Sequence, residues 1–328
     1  TLGNIASETA AALGIKGYSH AMSQTCSSGF QAILQAASWI EAGWAKRFIV
    51  IGAEAPLTTY FTQQMAAMKI YSNRTEGYPN LSLDLQKKEN TFILGEGAVA
   101  IAIEKKEEAS NYLASVSGLG FGRETGSHAA SINANGKALQ DAMKMALQEH
   151  TSIDGIVAHS PGTIQGDLAE NKAIQIITNK VLNNSDLTIP VTGNKWKIGH
   201  TLGASGMFSL ELGITMFARN EWIPVPYLNA PTPAPPPAAA ASPLLRLLLL
   251  VLPIYLPPTS YLLPTACYLL PTTYYLLLAT TSNYYNYYDY DYDYDFYYYY
   301  YYYYLPTYLP TYLPTYLPTY LPTYLPTY

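Results

Sequence analysis

Ser23-Gln24-Thr25-Cys26-Ser27-Ser28-Gly29-Phe30 is the stretch whose surroundings decide how the chain is read. Residues 17–22 before it (GYSHAM) read as a short strand. After it, Phe30, Ile33, Leu34, Ala37, Ile40 and Trp44 recur at three- and four-residue steps, which predicts a mostly buried helix. Cys26 is therefore expected where a strand hands over to a helix. Unpaired backbone N–H groups at a helix start favour negative charge. A thiol held there is expected to give up its proton more easily and to act as a nucleophile. Ser27, Ser28 and Gly29 are small and leave the sulfur approachable. The competing reading, a small buried hydrophobe, is the commoner fate of a lone cysteine.

Two compositions are joined in the 328 residues. Up to about residue 231 charges are mixed and apolar residues are periodic. Beyond it Pro, Leu, Thr and Tyr dominate. Of the 18 Lys and Arg and 23 Asp and Glu, only Arg246, Asp289, Asp291, Asp293 and Asp295 lie in the second part, so the first carries a net charge of −2. That balance points away from a nucleic-acid partner. The two cysteines, Cys26 and Cys267, fall one in each part. They offer neither a disulfide framework nor a zinc spacing, which predicts a reducing, cytoplasmic setting. Residues 244–252 are apolar but interrupted by Arg246 and closed by Pro253, well short of the ~20 residues a membrane span needs.

Past Gly43, residues 48–53 (FIVIGA) read as a strand buried on both faces. Residues 54–90 read as loops and short helices, and residues 98–104 (AVAIAIE) as a second buried strand. Further strands are expected over 111–121, 153–158 and 187–192. Helices are expected over 138–149, after Asp167 as the capping residue, and over 207–217. Alternating strands and helices make the class α/β. A faint internal echo accompanies this order: a strand leads to Cys26 and a buried helix, and a later one leads to His200 and another. Two such halves facing each other would bring the two helix starts together.

Of the five histidines, His20, His128 and His150 are assigned structural roles. His159 and His200 are expected at strand ends, where open α/β sheets place their ligands. His159 opens His159-Ser160-Pro161-Gly162-Thr163-Ile164-Gln165-Gly166-Asp167-Leu168-Ala169-Glu170, and Lys195-x4-His200-x2-Gly203-Ala204-x-Gly206 follows. With the Cys26 box and Phe92-Ile93-Leu94-Gly95-Glu96-Gly97-Ala98, these segments resemble the elongating β-ketoacyl-acyl-carrier-protein synthases and related polyketide ketosynthase domains of the thiolase-like superfamily. The family patterns are Thr-Ala-Cys-Ser-Ser, His-Gly-Thr-x-Thr-x-x-Gly-Asp-x-x-Glu and Lys-x4-His-x-x-Gly-Ala-x-Gly, in that order. The resemblance covers residues 1–230 and none of the tail.

It implies a thiolase-like layered αβαβα fold, with residues 1–105 left from an N-terminal half and residues 106–231 from a C-terminal half. It also implies that Cys26 takes an acyl group from a carrier-protein thioester, while His159 and His200 stabilise the enolate of a decarboxylating malonyl thioester. Lys195 would keep both histidines neutral, Glu170 would pair with Lys195, Asp167 would brace the loop, and Phe92 belongs to the matching stretch. No metal or bound cofactor is implied, because the phosphopantetheine arm of acyl carrier protein brings the substrates. A homodimer is expected. Ser160 and Pro161 stand where the family has Gly-Thr, and Trp196 and Lys197 stand where it has small or neutral residues. The family's opening strands and its closing Gly-Phe-Gly-Gly type loop are not found in the text. A thiolase-type enzyme would need a late second cysteine and lacks the Lys195 box, and a chain-length-factor subunit would lack Cys26. The opposing class is a non-enzyme: an inactive remnant, or a chain acting through its tail.

Residues 232–328 are read as a low-complexity tail without a core. It ends in six copies of Leu-Pro-Thr-Tyr over residues 305–328. Repeated CTAC encodes that tetrapeptide in every forward frame, so the tail has the form of translated simple-sequence DNA. Proline at every fourth position forbids a long helix or a central strand there.

Overall fold

The computed structural model describes residues 4–105, 108–109, 112–124, 132–147, 153–181, 189–228, 247–249 and 274–281. The elements are α1 (Asn4–Ala12), α2 (Ser28–Glu41), β1 (Arg47–Glu54), α3 (Thr59–Ala67), β2 (Gly97–Lys105), β3 (Ala114–Val116), α4 (Lys137–Leu147), β4 (Gly155–Val157), α5 (Ile164–Val181), β5 (Val191–Thr192), α6 (Lys195–Ile198), α7 (Ser205–Arg219), β6 (Leu247–Leu249) and β7 (Tyr274–Thr281). A 3-10 turn, Leu202–Ala204, leads into α7. Two sheets result, one ordered β1-β2-β7-β3 and one ordered β5-β4-β6. The second is parallel throughout. No helix among the described residues is long and apolar enough to cross a membrane.

The apolar period of α2 turns Phe30, Ile33, Ala37 and Ile40 inward, where they meet Val50 of β1, Val99 and Ile101 of β2, and Met207, Leu210 and Ile214 of α7. A second core joins Leu139 and Met143 of α4, Ile156 of β4 and Ile174 and Ile177 of α5. Helix α7 touches strands of both sheets and so lies between them. Its start crosses the start of α2 at glycine. A Cβ on Gly29 would come within 2.6 Å of Met207, and one on Gly206 within 2.6 Å of the Phe30 ring. The expected meeting of the two helix starts is the central joint of the molecule.

Several expectations need correction. Residues 17–22 form no strand. They lie largely exposed, and the Tyr18 and His20 rings rest against Trp39 instead of pairing with a sheet. Gly43, at φ +76°, ends the α2 segment, and Trp44 beyond it is 76% exposed rather than part of the buried face. β1 is an edge strand antiparallel to β2, so only Val50 and Gly52 are buried while Ile49 faces out. The 111–121 strand shrinks to Ala114–Val116. Beyond it, Gly118, Gly120 and Gly122 lie against the α4 backbone, where an added Cβ would sit 1.8–1.9 Å from the carbonyl oxygens of Ala146, Ala142 and Ala138. Residues two apart on an extended chain and four apart on a helix advance by similar distances (about 6.7 and 6 Å). The glycines therefore fit between consecutive turns. In the tail, β6 pairs with β4, and β7 pairs with β2 and β3. Neither stretch contains proline, so every backbone N–H is available to a ladder. The tetrapeptide repeats, Cys267, His128 and His150 lie outside the described residues.

Candidate active site

Cys26 is the residue two before α2, and Ser27 occupies the N-cap without a side-chain cap bond. The turn is held from within. Ser28 Oγ accepts Gln24 N–H at 2.8 Å and donates to Thr25 O at 2.7 Å, and Ser27 Oγ donates to Gln24 O at 2.7 Å. Thr25 takes φ +50°, a left-handed conformation costly for a β-branched residue.

His159 follows β4 and His200 follows α6. Glu170 of α5 accepts both the His159 and the Ser160 N–H at 2.7 Å. Glu170 meets Lys195 through charge, while its carboxylate grips the backbone of the histidine loop and Lys195 Nζ donates to Asn194 Oδ1 at 3.0 Å. Asp167 braces the loop as expected, accepting Gly162 N–H and Leu83 N–H at 3.0 Å and Lys87 Nζ at 2.7 Å. It does not cap α5, because Thr163 Oγ1 accepts the Gly166 N–H. The Lys87–Asp167 pair is buried and was not anticipated. Its signal in the sequence was only a lysine five residues before Phe92. Asn80 and Thr91 complete the brace, meeting Pro161 O and Gly162 O.

His200 is not carried on a strand end. The segment around it pairs with the Phe92 stretch, with His200 N–H donating to Ile93 O at 2.7 Å and Gly95 N–H donating to His200 O at 3.0 Å. This approach requires glycine, since a Cβ on Gly95 would sit 1.9 Å from Ile198 O. The Phe92 ring covers His200 at 4.8 Å between centroids.

The side-chain atoms then converge. One ligand atom each of Cys26, His159 and His200 lies within 4.8 Å of the others, and the two Nε2 atoms are 3.3 Å apart. Leu202 N–H donates to His200 Nδ1 at 3.1 Å. An imidazole nitrogen that accepts carries no proton, so the proton of neutral His200 is on Nε2, facing the site. This also argues against His200 as a metal ligand. A ligating histidine offers a lone pair to the ion and donates from its other nitrogen, whereas here the other nitrogen meets a donor.

Burial, then the Lys195 cation, holds both imidazoles neutral, His159 well below its ordinary range and His200 down to about 3. Burial lowers Lys195 itself to about 8, opposed by Glu170 and Cys26. Burial raises Glu170 to about 7 against its two backbone bonds. At Cys26 the expectation is reversed. Burial pushes the thiol up to about 11, more than the nearby Lys195 brings it down.

The sequence bears out the family. "Beta-ketoacyl synthase, N-terminal domain" matches residues 3–109 and "Beta-ketoacyl synthase, C-terminal domain" matches residues 113–229. The chain belongs to the β-ketoacyl synthase family. It is 29% identical over 234 residues to 3-oxoacyl-[acyl-carrier-protein] synthase 2 of Synechocystis sp., covering 69% of this chain and 55% of that one. A solved β-ketoacyl synthase from Burkholderia phymatum superposes with a TM-score of 0.61 at 26% identity, covering 71% of this chain and 57% of the other. A type II polyketide ketosynthase, solved with its acyl-carrier protein and bound to a hexaketide, shares the fold at a TM-score of 0.59 and 23% identity, over 68% and 58% of the two chains. The fold is therefore thiolase-like. The chain spans about half the length of the relatives it matches. Trp196, at a position that departs from the family pattern, packs edge-on against Tyr78, which also meets Tyr227, while Lys197 is exposed.

Proposed function

We propose that this chain carries the condensing centre of a 3-oxoacyl-acyl-carrier-protein synthase. An acyl thioester transfers its acyl group to Cys26 Sγ, releasing the carrier thiol. A malonyl thioester then loses carbon dioxide, its enolate carbon attacks the Cys26 thioester, and the Cys26 thiolate is expelled and stays on the protein while the 3-oxoacyl product remains on the carrier that brought the malonyl group. The observation that carries this reading is the convergence of Cys26, His159 and His200 within 4.8 Å. Charge grows on the malonyl carbonyl oxygen only as carbon dioxide departs, so N–H donors aimed there lower the barrier without tightening ground-state binding. His200 supplies one through Nε2, and neutral His159 adjoins it.

Cys26 begins as a thiol, and its proton passes to the carrier thiolate that acyl transfer releases. Lys195, Glu170, Asp167 and Phe92 hold this arrangement. The substrates arrive on the phosphopantetheine of an acyl carrier protein, a partner supported by the complex of the polyketide neighbour, and the working form is a homodimer.

The test is incubation of the full chain with an acyl-acyl-carrier-protein, then intact mass and a malonyl decarboxylation assay. Acylation at Cys26 is expected. His159→Ala should lower condensation about a hundredfold or more while Cys26 is still acylated. Folded protein that takes no acyl group on Cys26, or a His159→Ala variant condensing at the wild-type rate, overturns the reading.

A further inference from the structure

Two consecutive backbone N–H groups leave the turn after His200 in different directions. That of Leu202 donates back to His200 Nδ1 at 3.1 Å. That of Gly203 donates to Oε1 of Glu54 at 3.0 Å. Glu54 is the last residue of β1, 149 residues away and in the half of the chain that carries Cys26. The contact lies at the central joint. A Cβ on Gly203 would come within 2.8 Å of Glu54 Oε1 and 3.3 Å of Ser28 Cβ. Leu202 takes φ +41°, a left-handed conformation that a non-glycine residue holds only where the surroundings impose it. Glu54 is half-buried, so its carboxylate is partly shielded from competing water.

We propose that Glu54 is a positioning residue that sets the tautomer of His200 across the joint between the two halves: its carboxylate pins Gly203 N–H, which aims Leu202 N–H at Nδ1 and leaves the proton of His200 on Nε2, toward Cys26 and His159. The sequence hid this role, because Glu54 ends an apolar strand and belongs to none of the motifs. Glu54 also adds negative charge near Cys26, where burial and then Lys195 are the stronger influences on the thiol. Replacing the carboxylate by an amide keeps the acceptor and removes the charge. Truncation removes both.

The experiment is imidazole ¹⁵N NMR on the full chain as wild type, Glu54→Gln and Glu54→Ala, with His200 signals assigned by their loss in His200→Gln. Wild type and Glu54→Gln are expected to show His200 protonated on Nε2, and Glu54→Ala to show a substantial Nδ1–H population. If Glu54→Ala does not fold, Glu54→Asp serves in its place, since it withdraws the carboxylate by one methylene and keeps the charge. Retention of the Nε2–H form in a folded Glu54→Ala or Glu54→Asp chain overturns the proposal, as does its equal loss in Glu54→Gln. In its rate consequence the inference rests on the condensing reading. Malonyl decarboxylation should then fall at least about tenfold in Glu54→Ala and stay near wild type in Glu54→Gln, because a histidine in the wrong tautomer is a poor catalyst. A wild-type chain without decarboxylation would refute the condensing reading and leave the NMR test intact.

Discussion

The sharpest consequence of the site is that Cys26 rests as a thiol, and the titration of its reactivity can be worked out. With a pKa of about 11, roughly one molecule in 10⁴ is ionised at pH 7, against about 3% for an ordinary cysteine near 8.5. That is a deficit of about 300-fold. A thiolate of higher pKa is intrinsically more nucleophilic, by about tenfold over such an interval. The net expectation is alkylation about thirtyfold slower than in the unfolded chain at pH 7. The rate should climb about tenfold per pH unit through pH 9, without levelling. Iodoacetamide rates read at the Cys26 peptide, in folded and denatured chain from pH 6 to 10, make the measurement. Lys195→Met should slow folded Cys26 further below about pH 8, where Lys195 is charged, because the cation that favours the thiolate is gone. The same substitution should raise the pKa of both His159 and His200, on which Lys195 acts in the opposite sense. A profile levelling below pH 9, or a folded cysteine that outpaces the unfolded one at pH 7, would refute the claim that burial outweighs the helix start.

Other expectations follow from the same environment. The folded pKa of His200 lies below its unfolded value. Its contribution to stability is therefore complete above about pH 6.5 and is lost as the pH falls toward 3; His200→Asn should flatten that acid slope in chemical denaturation, and an unchanged slope would contradict a buried neutral imidazole. Glu170 has the opposite sign. Its folded pKa is raised to about 7, so it favours the fold at low pH and this advantage is lost between about pH 4.5 and 7; Glu170→Gln should remove that fall. Lys87→Met strands a buried Asp167 carboxylate and should cost about 3–5 kcal/mol. Lys87→Met with Asp167→Asn should recover part of it, and additive losses in the cycle would count against a direct pair. Gly120→Ala presses a methyl group against Ala142 O and should destabilise by about 1–3 kcal/mol in a thermal melt, whereas an unchanged melting temperature would mean the 118–122 segment does not lie on α4.

Periodicity and motif spacing were enough to place α2, α4, α7, β1 and β2, and to nominate Cys26, His159, Lys195 and His200, because apolar faces and glycine positions are written locally. Residues 17–22 misled for a physical reason. A strand needs a neighbour to take its backbone bonds, and the sequence of a strand does not say whether one is there. Lys87 and Glu54 were illegible because their importance lies wholly in partners far along the chain. Glu170 was recognised, but the two backbone N–H groups it accepts were not. Whether a buried carboxylate takes a lysine or two backbone N–H groups depends on sub-ångström placement that residue spacing does not encode.

What the order of residues determined by itself is the inventory: a sulfur before a buried helix, two histidines before glycine-rich turns, and the alternation that makes an α/β chain. The tertiary structure alone decided the states of those groups. It set a backbone donor against Nδ1 of His200, burial and a cation around both imidazoles, and surroundings that push the Cys26 thiol toward its protonated form. Desolvation and the direction of single hydrogen bonds govern these states, and both come into existence only when distant segments close around the site.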